Sequence, residues 1–205
     1  MSNQDQSWGI LPTQQDEDNT RAHAVSDPAG YHAGIAGREL HWFDGNTQSW
    51  ISQTDTGEWA GWHDRDASSA HADASWQPWS HPLDDSLAPY YRWFVDGQTN
   101  ACFNLIDRHV LSGRGDQIAI VFEGDRWDPS KNDGRGGPVH EQRVTYRELL
   151  VEVALRTRVL KQADLSCGDR VALNLPNVLE QIFYILACQR LGVIYTPVFG
   201  GFSAK

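Results

Sequence analysis

Apolar and polar positions alternate with a regular period only in the second half of the chain. Thr145 and Glu148, three residues apart, have the spacing of a capping box, which predicts that a helix begins here. Beyond the box, apolar side chains recur at helical spacing and predict an amphipathic helix. They are Tyr146, Leu149, Leu150, Val153 and Leu160.

A strand, a helix and a second strand are predicted to follow directly. Residues 170–175 form a short apolar run typical of a buried strand, and residues 193–199 form another. Between them, Asn177 and Glu180 are expected to cap a helix that continues to Leu191 and ends at Gly192. Strands joined by one helix run parallel with a right-handed crossover. The second half is therefore predicted to be α/β, with a parallel βαβ layer.

Two further elements are expected upstream of that layer. Residues 100–111 place apolar side chains on one side of a predicted helix, which Ser112 and Gly113 should end. Residues 118–122 are rich in β-branched and aromatic side chains, and residues 139–144 can return beside them after a glycine-rich turn. The sequence thus predicts a β-hairpin in front of the parallel layer.

The first half of the chain lacks this regularity. Residues 1–26 are polar and acidic and predict a mobile tail. Asp27 and Pro28 can begin a short helix over residues 27–43, whereas residues 44–89 show no sustained period. Seven of the nine tryptophans nevertheless lie in residues 1–90: Trp8, Trp42, Trp50, Trp59, Trp62, Trp76 and Trp79.

Such a density of indole rings is typical of packing against another surface rather than of a disordered linker. We therefore interpret residues 27–89 as a Trp-rich extension that contains an irregular strap, placed ahead of an α/β region in residues 90–205. A platform on which exposed rings stack against sugars is the alternative.

Charge narrows the classes of partner. The net charge is −10, and residues 1–90 carry 14 acidic against 3 basic side chains. An acidic surface repels nucleic acid and anionic lipid, so neither is expected as a partner. The beginning of the chain has no basic and apolar signal segment, and no apolar run could cross a bilayer, which predicts a cytoplasmic protein. No cysteine or histidine spacing indicates a disulfide framework or a metal site.

Four motifs carry a resemblance to a known family. They are RWFVDGQTNACFNLIDRHV at 92–110, VTYREL at 144–149, GDRVALNLPNVLE at 168–180, and LGVIYTPVFGGFS at 191–203. In this order and spacing they resemble the AMP-forming acetyl-/propionyl-CoA synthetases of the adenylate-forming enzymes. The first motif is similar to the family run WFxGGxLNxxYNxxDRHV, and the last contains the VFGGFS of the acetyl-CoA synthetase branch.

The resemblance implies the fold and the chemistry. Residues 90–205 would be the first part of the large N-terminal domain of an acid–CoA ligase. That enzyme activates a short-chain carboxylate with ATP and Mg²⁺ to an acyl-adenylate and then transfers the acyl group to CoA. Phe199, Gly200 and Gly201 would lie beside the CoA nucleotide, and two glycines after a strand do allow backbone to approach a ligand closely.

The family's phosphate loop and catalytic lysine have no counterpart among these residues. Lysine occurs only as Lys131, Lys161 and Lys205, none in a motif of that kind, so no catalytic residue is assigned. The chain alone is expected to be inactive, to bind none of the cofactors tightly, and to need the remainder of the same synthetase polypeptide as its partner.

Two departures from the family pattern bear on the substrate. Residues 44–89 are longer than the usual connection, and Tyr195, Thr196 and Pro197 replace the branch's His-Ser-Val. Both indicate a divergent member, for which the synthetase module of a multifunctional propionyl-CoA synthase is one interpretation. The alternative function, of another class, is a non-catalytic Trp-rich module that binds a partner protein.

Overall fold

The chain divides into two compact units, Met1–Thr99 and Asn100–Lys205. A computed structural model describes residues 13–46, 48–53, 59–61 and 76–198. The division falls at residue 99, whereas the motif pattern placed the start of the α/β region at residue 90. Residues 92–95 are a strand paired within the first unit, which accounts for the later division.

The first unit opens with two helices, α1 (Gln14–Ser26) and α2 (Pro28–Glu39). The Thr13 hydroxyl accepts a hydrogen bond from the Asp16 amide, and Arg21 pairs with Glu17 one turn away. Residues 14–26 of the predicted mobile tail are helical, because capping and one-turn pairs stabilise a helix that buries none of its residues. Residues 1–12 of the predicted tail lie outside the described residues.

The second helix confirms its predicted beginning. The Asp27 carboxylate accepts the Gly30 amide at 2.9 Å, with Pro28 at the first helical position. Its end differs from the prediction: α2 stops at Glu39, and residues 42–44 form strand β1 instead.

Strands replace much of the predicted irregular strap. Strands β1 (Trp42–Asp44), β2 (Ser49–Gln53) and β3 (Trp59–Gly61) form an antiparallel sheet in that order. Strands β4 (His81–Asp84) and β5 (Arg92–Val95) pair as an antiparallel hairpin. The strands were missed because they are three to five residues long, too short for alternation to become visible in the sequence.

Aromatic rings form the packing centre of the first unit. The Trp42 ring centroid lies 4.8 Å from that of Trp79 and 5.3 Å from that of Phe94. Trp79 also contacts Trp59, whose ring in turn meets Trp76 edge-on at 5.6 Å. These described tryptophans therefore pack on one another within their own unit, whereas their density in the sequence predicted packing against another surface. Trp8 and Trp62 lie outside the described residues.

The second unit begins with two π-helical segments, Phe103–Asp107 and Val110–Arg114, which continue a turn begun at residue 101. The predicted stop at Ser112 and Gly113 is confirmed, because Gly113 adopts a left-handed φ of 79° that interrupts the right-handed helical geometry. The predicted hairpin is confirmed as strands β6 (Ile118–Glu123) and β9 (Glu141–Thr145), which pair antiparallel. A small ladder, β7 (Trp127–Asp128) with β8 (Gly137–Pro138), and a helical turn, α3 (Lys131–Gly134), fill the connection.

The predicted capping box is present at the start of α4 (Tyr146–Gln162). The βαβ order is also present, as β10 (Arg170–Asn174), α5 (Leu179–Leu191) and β11 (Ile194–Val198). The two strands pair parallel, and they are the one parallel pair among the described strands, since the other sheets are antiparallel.

The expected cap of α5 is wrong. Val178 occupies the N-cap position, and its apolar side chain makes no capping hydrogen bond. The expected cap, Asn177, lies one residue upstream of that position. The C-terminal prediction holds, since Gly192 ends α5 in the left-handed conformation with a φ of 70°.

One aliphatic cluster forms the core of the second unit. Val153 and Ala187 are fully buried where α4 packs against α5, and Leu173 of β10 is also buried. Leu149 is buried and Leu150 partly buried in the cluster, so the predicted inner face of α4 is correct. The fully or nearly buried members are Cys102, Ile106, Val144, Leu149, Val153, Leu160, Leu179, Phe183, Leu186, Ala187, Cys188 and Val193.

Candidate functional site

A cleft lies at the carboxyl ends of the two parallel strands. Its volume is about 620 Å³, and its walls come from the end of β6, the loop that joins β10 to α5, and the end of β11. Ligands of open α/β sheets bind outside the carboxyl ends of the strands, so this is the edge where a substrate or cofactor is expected. The lining residues are Phe122, Gly124, Asp125, Leu175, Pro176, Asn177, Val178, Gln181, Pro197 and Val198.

The loop that joins β10 to α5 shapes the floor of the cleft. The Gln181 side-chain amide donates to the Leu175 carbonyl at 3.2 Å and so fixes the loop against the first turn of α5. Asp125 and Asn177 supply the remaining polar side chains, and none of the described lining residues is cationic. This part of the cleft can therefore hold flat or apolar groups and offer hydrogen bonds, but it supplies no positive charge to a phosphate.

The residues predicted to contact CoA lie outside the described residues. Strand β11 ends at Val198, which lines the cleft, and Phe199, Gly200 and Gly201 follow it in sequence. Their role stays a prediction.

The two lysines in the described part of the chain, Lys131 and Lys161, do not form part of a candidate binding site. The Lys131 ammonium donates to the carbonyl of Val139 at 3.3 Å and to that of Pro138, which closes the loop between β7 and β8. Lys161 is exposed near the end of α4, and Lys205 is not among the described residues. Neither described lysine lines the cleft.

A polar cluster joins the π-helical segments to the end of α5. The Arg190 guanidinium donates to both carboxylate oxygens of Asp107, at 3.1 and 2.5 Å. The Asn100 side-chain amide donates to the carbonyls of Gln189 and Arg190, at 3.2 and 3.1 Å. Asp107 therefore ties its π-helical segment to α5 through Arg190.

Asp107 and His109 contact different partners and do not converge on one point. His109 is buried against the ring of Tyr146 at a centroid distance of 4.6 Å, and its Nδ1 lies 2.5 Å from the Arg114 guanidinium. Burial, and then the charges of Arg114 and Arg108, lower the pKa of His109 to about 4. A neutral imidazole that accepts from arginine is a structural group, not a proton shuttle at pH 7.

Cys102 is buried beside this cluster, and its thiol stays protonated at neutral pH. Burial is the main reason that the pKa of its thiol rises to about 11. The three cysteines are free thiols, and Cys167 is the exposed one. Within the described ranges, no group of three or more metal-binding side chains is placed to hold an ion. No helix in that part of the chain is long and apolar enough to span a membrane.

Two family models match the chain. The model for AMP-binding enzymes matches residues 108–205, which contain the cleft and the βαβ unit, and the model for the acetyl-coenzyme A synthetase N-terminus matches residues 67–105. The fold and the two matches together define the class: an N-terminal region of an AMP-forming enzyme.

Curated relatives name the branch. The chain is 44% identical over 140 residues to acetyl-coenzyme A synthetase of Methylobacillus flagellatus, an overlap of 68% of this chain and 19% of the relative. It is 42% identical over 132 residues to the enzyme of Mycobacterium tuberculosis (63% of this chain, 18% of the relative). It is 42% identical over 129 residues to that of Burkholderia lata, again 63% and 18%.

The chain belongs to the AMP-forming acetyl-coenzyme A synthetase family. It spans about a fifth of the length of the curated relatives that it matches.

Proposed function

We propose that the chain is the opening part of an acid–CoA ligase that converts a short-chain carboxylate and ATP to an acyl-adenylate and then to an acyl-CoA. The observation that carries the proposal is the cleft at the carboxyl ends of β10 and β11, inside the region that matches AMP-binding enzymes. The curated relatives are named as synthetases of acetyl-coenzyme A. Acetate or propionate is the proposed substrate, and a propionyl-CoA synthase module remains the more specific hypothesis.

The uncovered sheet supports a larger parallel layer in the whole enzyme. Along β10, Val171 and Leu173 face the helices, whereas Arg170, Ala172 and Asn174 are exposed. Parallel sheets are normally covered on both faces. We therefore propose that the remainder of the synthetase polypeptide covers the second face and extends the sheet.

The residues present indicate which parts of the proposed reaction this chain would support. ATP, CoA and Mg²⁺ are cofactors of the proposed reaction, and adenylation places negative charge on phosphoryl oxygens that needs cations nearby. The described cleft has no cationic lining, and the described residues hold no group of oxygen ligands suited to Mg²⁺. This chain would thus shape one wall of the site and bring backbone close to CoA at Gly200 and Gly201, while the charged groups come from elsewhere in the enzyme.

The alternative, a non-catalytic Trp-rich interaction module, is not favoured. The described tryptophans of the proposed module pack on one another, and the family match extends over the α/β region. A cytoplasmic location stays a prediction of the sequence.

The proposal is tested on the complete ligase with its two half-reactions measured separately. Gly201→Val should raise the KM for CoA at least tenfold and leave acid-dependent ATP–pyrophosphate exchange within twofold, because exchange needs no CoA. Gly45→Val is the matched control, since a Cβ at Gly45 meets open space.

Loss of exchange together with the CoA step in a folded Gly201→Val enzyme would contradict the assignment of this edge to CoA. Absence of acid-dependent exchange in the unmodified complete protein would overturn the ligase proposal itself. The isolated chain should show no exchange above a blank without enzyme.

A further inference from the structure

Helix α4 carries two apolar stripes, and only one of them is buried. Leu149, Val153 and Leu160 face the core of the second unit. On the other side Val151, Leu155 and Val159 are about half exposed, at 54%, 50% and 48%. A surface helix normally has one apolar stripe and a polar opposite face. The second stripe therefore needs an explanation beyond the folding of this unit.

The outer face has the spacing of a helix–helix seam. Glu148, Val151, Leu155, Arg158 and Gln162 are separated by three, four, three and four residues and are all exposed or partly exposed. This is the a/d spacing that brings two helices together. Its centre, Val151 and Leu155, is apolar and is flanked by opposite charges, negative at Glu148 and positive at Arg158.

Charge selects one arrangement of two copies of this face. In an antiparallel pair, Val151 of one helix packs on Leu155 of the other, and in the same register Glu148 lies opposite Arg158. A two-fold axis repeats both contacts, so the surface is self-complementary. A parallel pair would instead place Glu148 against Glu148 and Arg158 against Arg158, which is unfavourable.

We propose that the outer face of α4 is a self-association surface that pairs with a second copy of this chain in antiparallel orientation. The proposed partner is a second copy because the face is self-complementary in its helical spacing and in its charge. This surface is distinct from the cleft, whose lining contains no residue of α4. The proposal does not depend on the ligase function.

The size of the surface sets the expected affinity. Stable interfaces bury roughly 800 Å² per partner, and three half-exposed aliphatic side chains flanked by one ion pair at each end supply much less. We therefore expect a reversible dimer with a Kd between about 1 μM and 1 mM. Sedimentation velocity of the 205-residue chain over that concentration range measures it.

Substitutions on the seam separate this surface from general stickiness. Leu155→Glu and Arg158→Glu should each weaken association at least tenfold, because the first buries a charge and the second opposes two carboxylates. Arg158→Lys should associate within threefold of the unmodified chain. Val121→Glu is the matched control, since Val121 is an equally exposed aliphatic residue of the same unit, on β6.

Cross-linking tests the register. In a Cys167→Ser background, which removes the exposed native thiol, a mixture of Val151→Cys and Leu155→Cys chains should form a disulfide dimer faster than either chain alone. Faster linkage of Val151→Cys to itself would support the parallel pair and overturn the proposal. A chain that stays monomeric at 1 mM, or a dimer that Val121→Glu weakens as much as Leu155→Glu does, would overturn it as well.

Discussion

The two units build their interiors from different side chains. The first packs an indole ring edge-on and a phenyl ring at a tilt against Trp42, whereas the second packs aliphatic side chains of α4 and α5 around Val153 and Ala187. Aliphatic packing leaves a period in the sequence, since each helical turn must return an apolar residue to the same face. Large rings can reach one another from short strands and loops. A core of this kind therefore appears in the sequence as a high density of aromatic residues without a regular period.

Trp42→Ala should lower the stability of the protein more than any other single truncation of a core side chain in the first unit. The indole is 3% exposed, contacts the rings of Trp79 and Phe94, and donates to the Ala36 carbonyl at 3.0 Å. Its removal should lower the free energy of unfolding of the first unit by about 3–5 kcal/mol. Urea unfolding followed by tryptophan fluorescence is the measurement, since seven of the nine tryptophans lie in residues 1–90.

The control for this change is Trp93→Ala, because the Trp93 ring is 41% exposed. It should lose less than half as much. Equal losses for the two variants would show that the rings do not form a core around Trp42, and the contrast between the units would fail.

Leu149→Ala probes the aliphatic interior in the same way. Leu149 is 4% exposed on the inner face of α4, so truncation should cost about 2–5 kcal/mol. Leu155→Ala removes the same atoms from the outer face of the same helix and should cost under about 0.5 kcal/mol at low protein concentration. Hydrogen exchange of the α5 amides reports both changes, and a larger effect at Leu155 than at Leu149 would reverse the assigned faces.

The second unit should also lose stability in mild acid. The folded pKa of His109 is about 4, below its ordinary value of 6.5, so the unfolded chain binds more protons between those values. This contribution is complete above about pH 6.5 and disappears as the pH falls toward 4, by roughly 2–3 kcal/mol. His109→Gln should flatten the dependence in that interval, measured by urea unfolding at half-unit steps of pH. An unchanged slope would exclude His109 as its source.

The smallest expected effect concerns the cap of α4. The Thr145 hydroxyl accepts from the Glu148 amide at 3.2 Å, and the Glu148 carboxylate accepts from the Thr145 amide at 2.8 Å. Thr145→Ala should cost about 1 kcal/mol, and Thr145→Ser should restore most of it. If the serine variant is as unstable as alanine in thermal unfolding, the methyl group of Thr145 rather than its hydroxyl matters.

The sequence predicts the second unit better than the first. The capping box, the parallel pair and the end of α5 at Gly192 were predictable because each is a local signal with one physical meaning. Strands β1 to β3 were not, since polar side chains such as Asp44, Ser49 and Ser52 interrupt their apolar positions, whereas the equally short β10 carries three consecutive apolar residues.

The cleft could be placed at the ends of the strands by topology alone, but its polar lining could not. Asp125 arrives from the hairpin, which is distant in sequence from β10 and β11. The pairing of Asp107 with Arg190 was missed for the same reason, because no local pattern links residues 83 positions apart.

The hydrogen bonds from Asn100 to the last carbonyls of α5 have a consequence for synthesis on the ribosome. Donor and first acceptor are 89 positions apart in the chain. At roughly 5–20 residues per second, the ribosome makes that stretch in about 5–18 seconds. For that interval the π-helical segments exist without the partners that hold them. The second unit can therefore close only after α5 has emerged, and a pause in translation before residue 190 would prolong its open state.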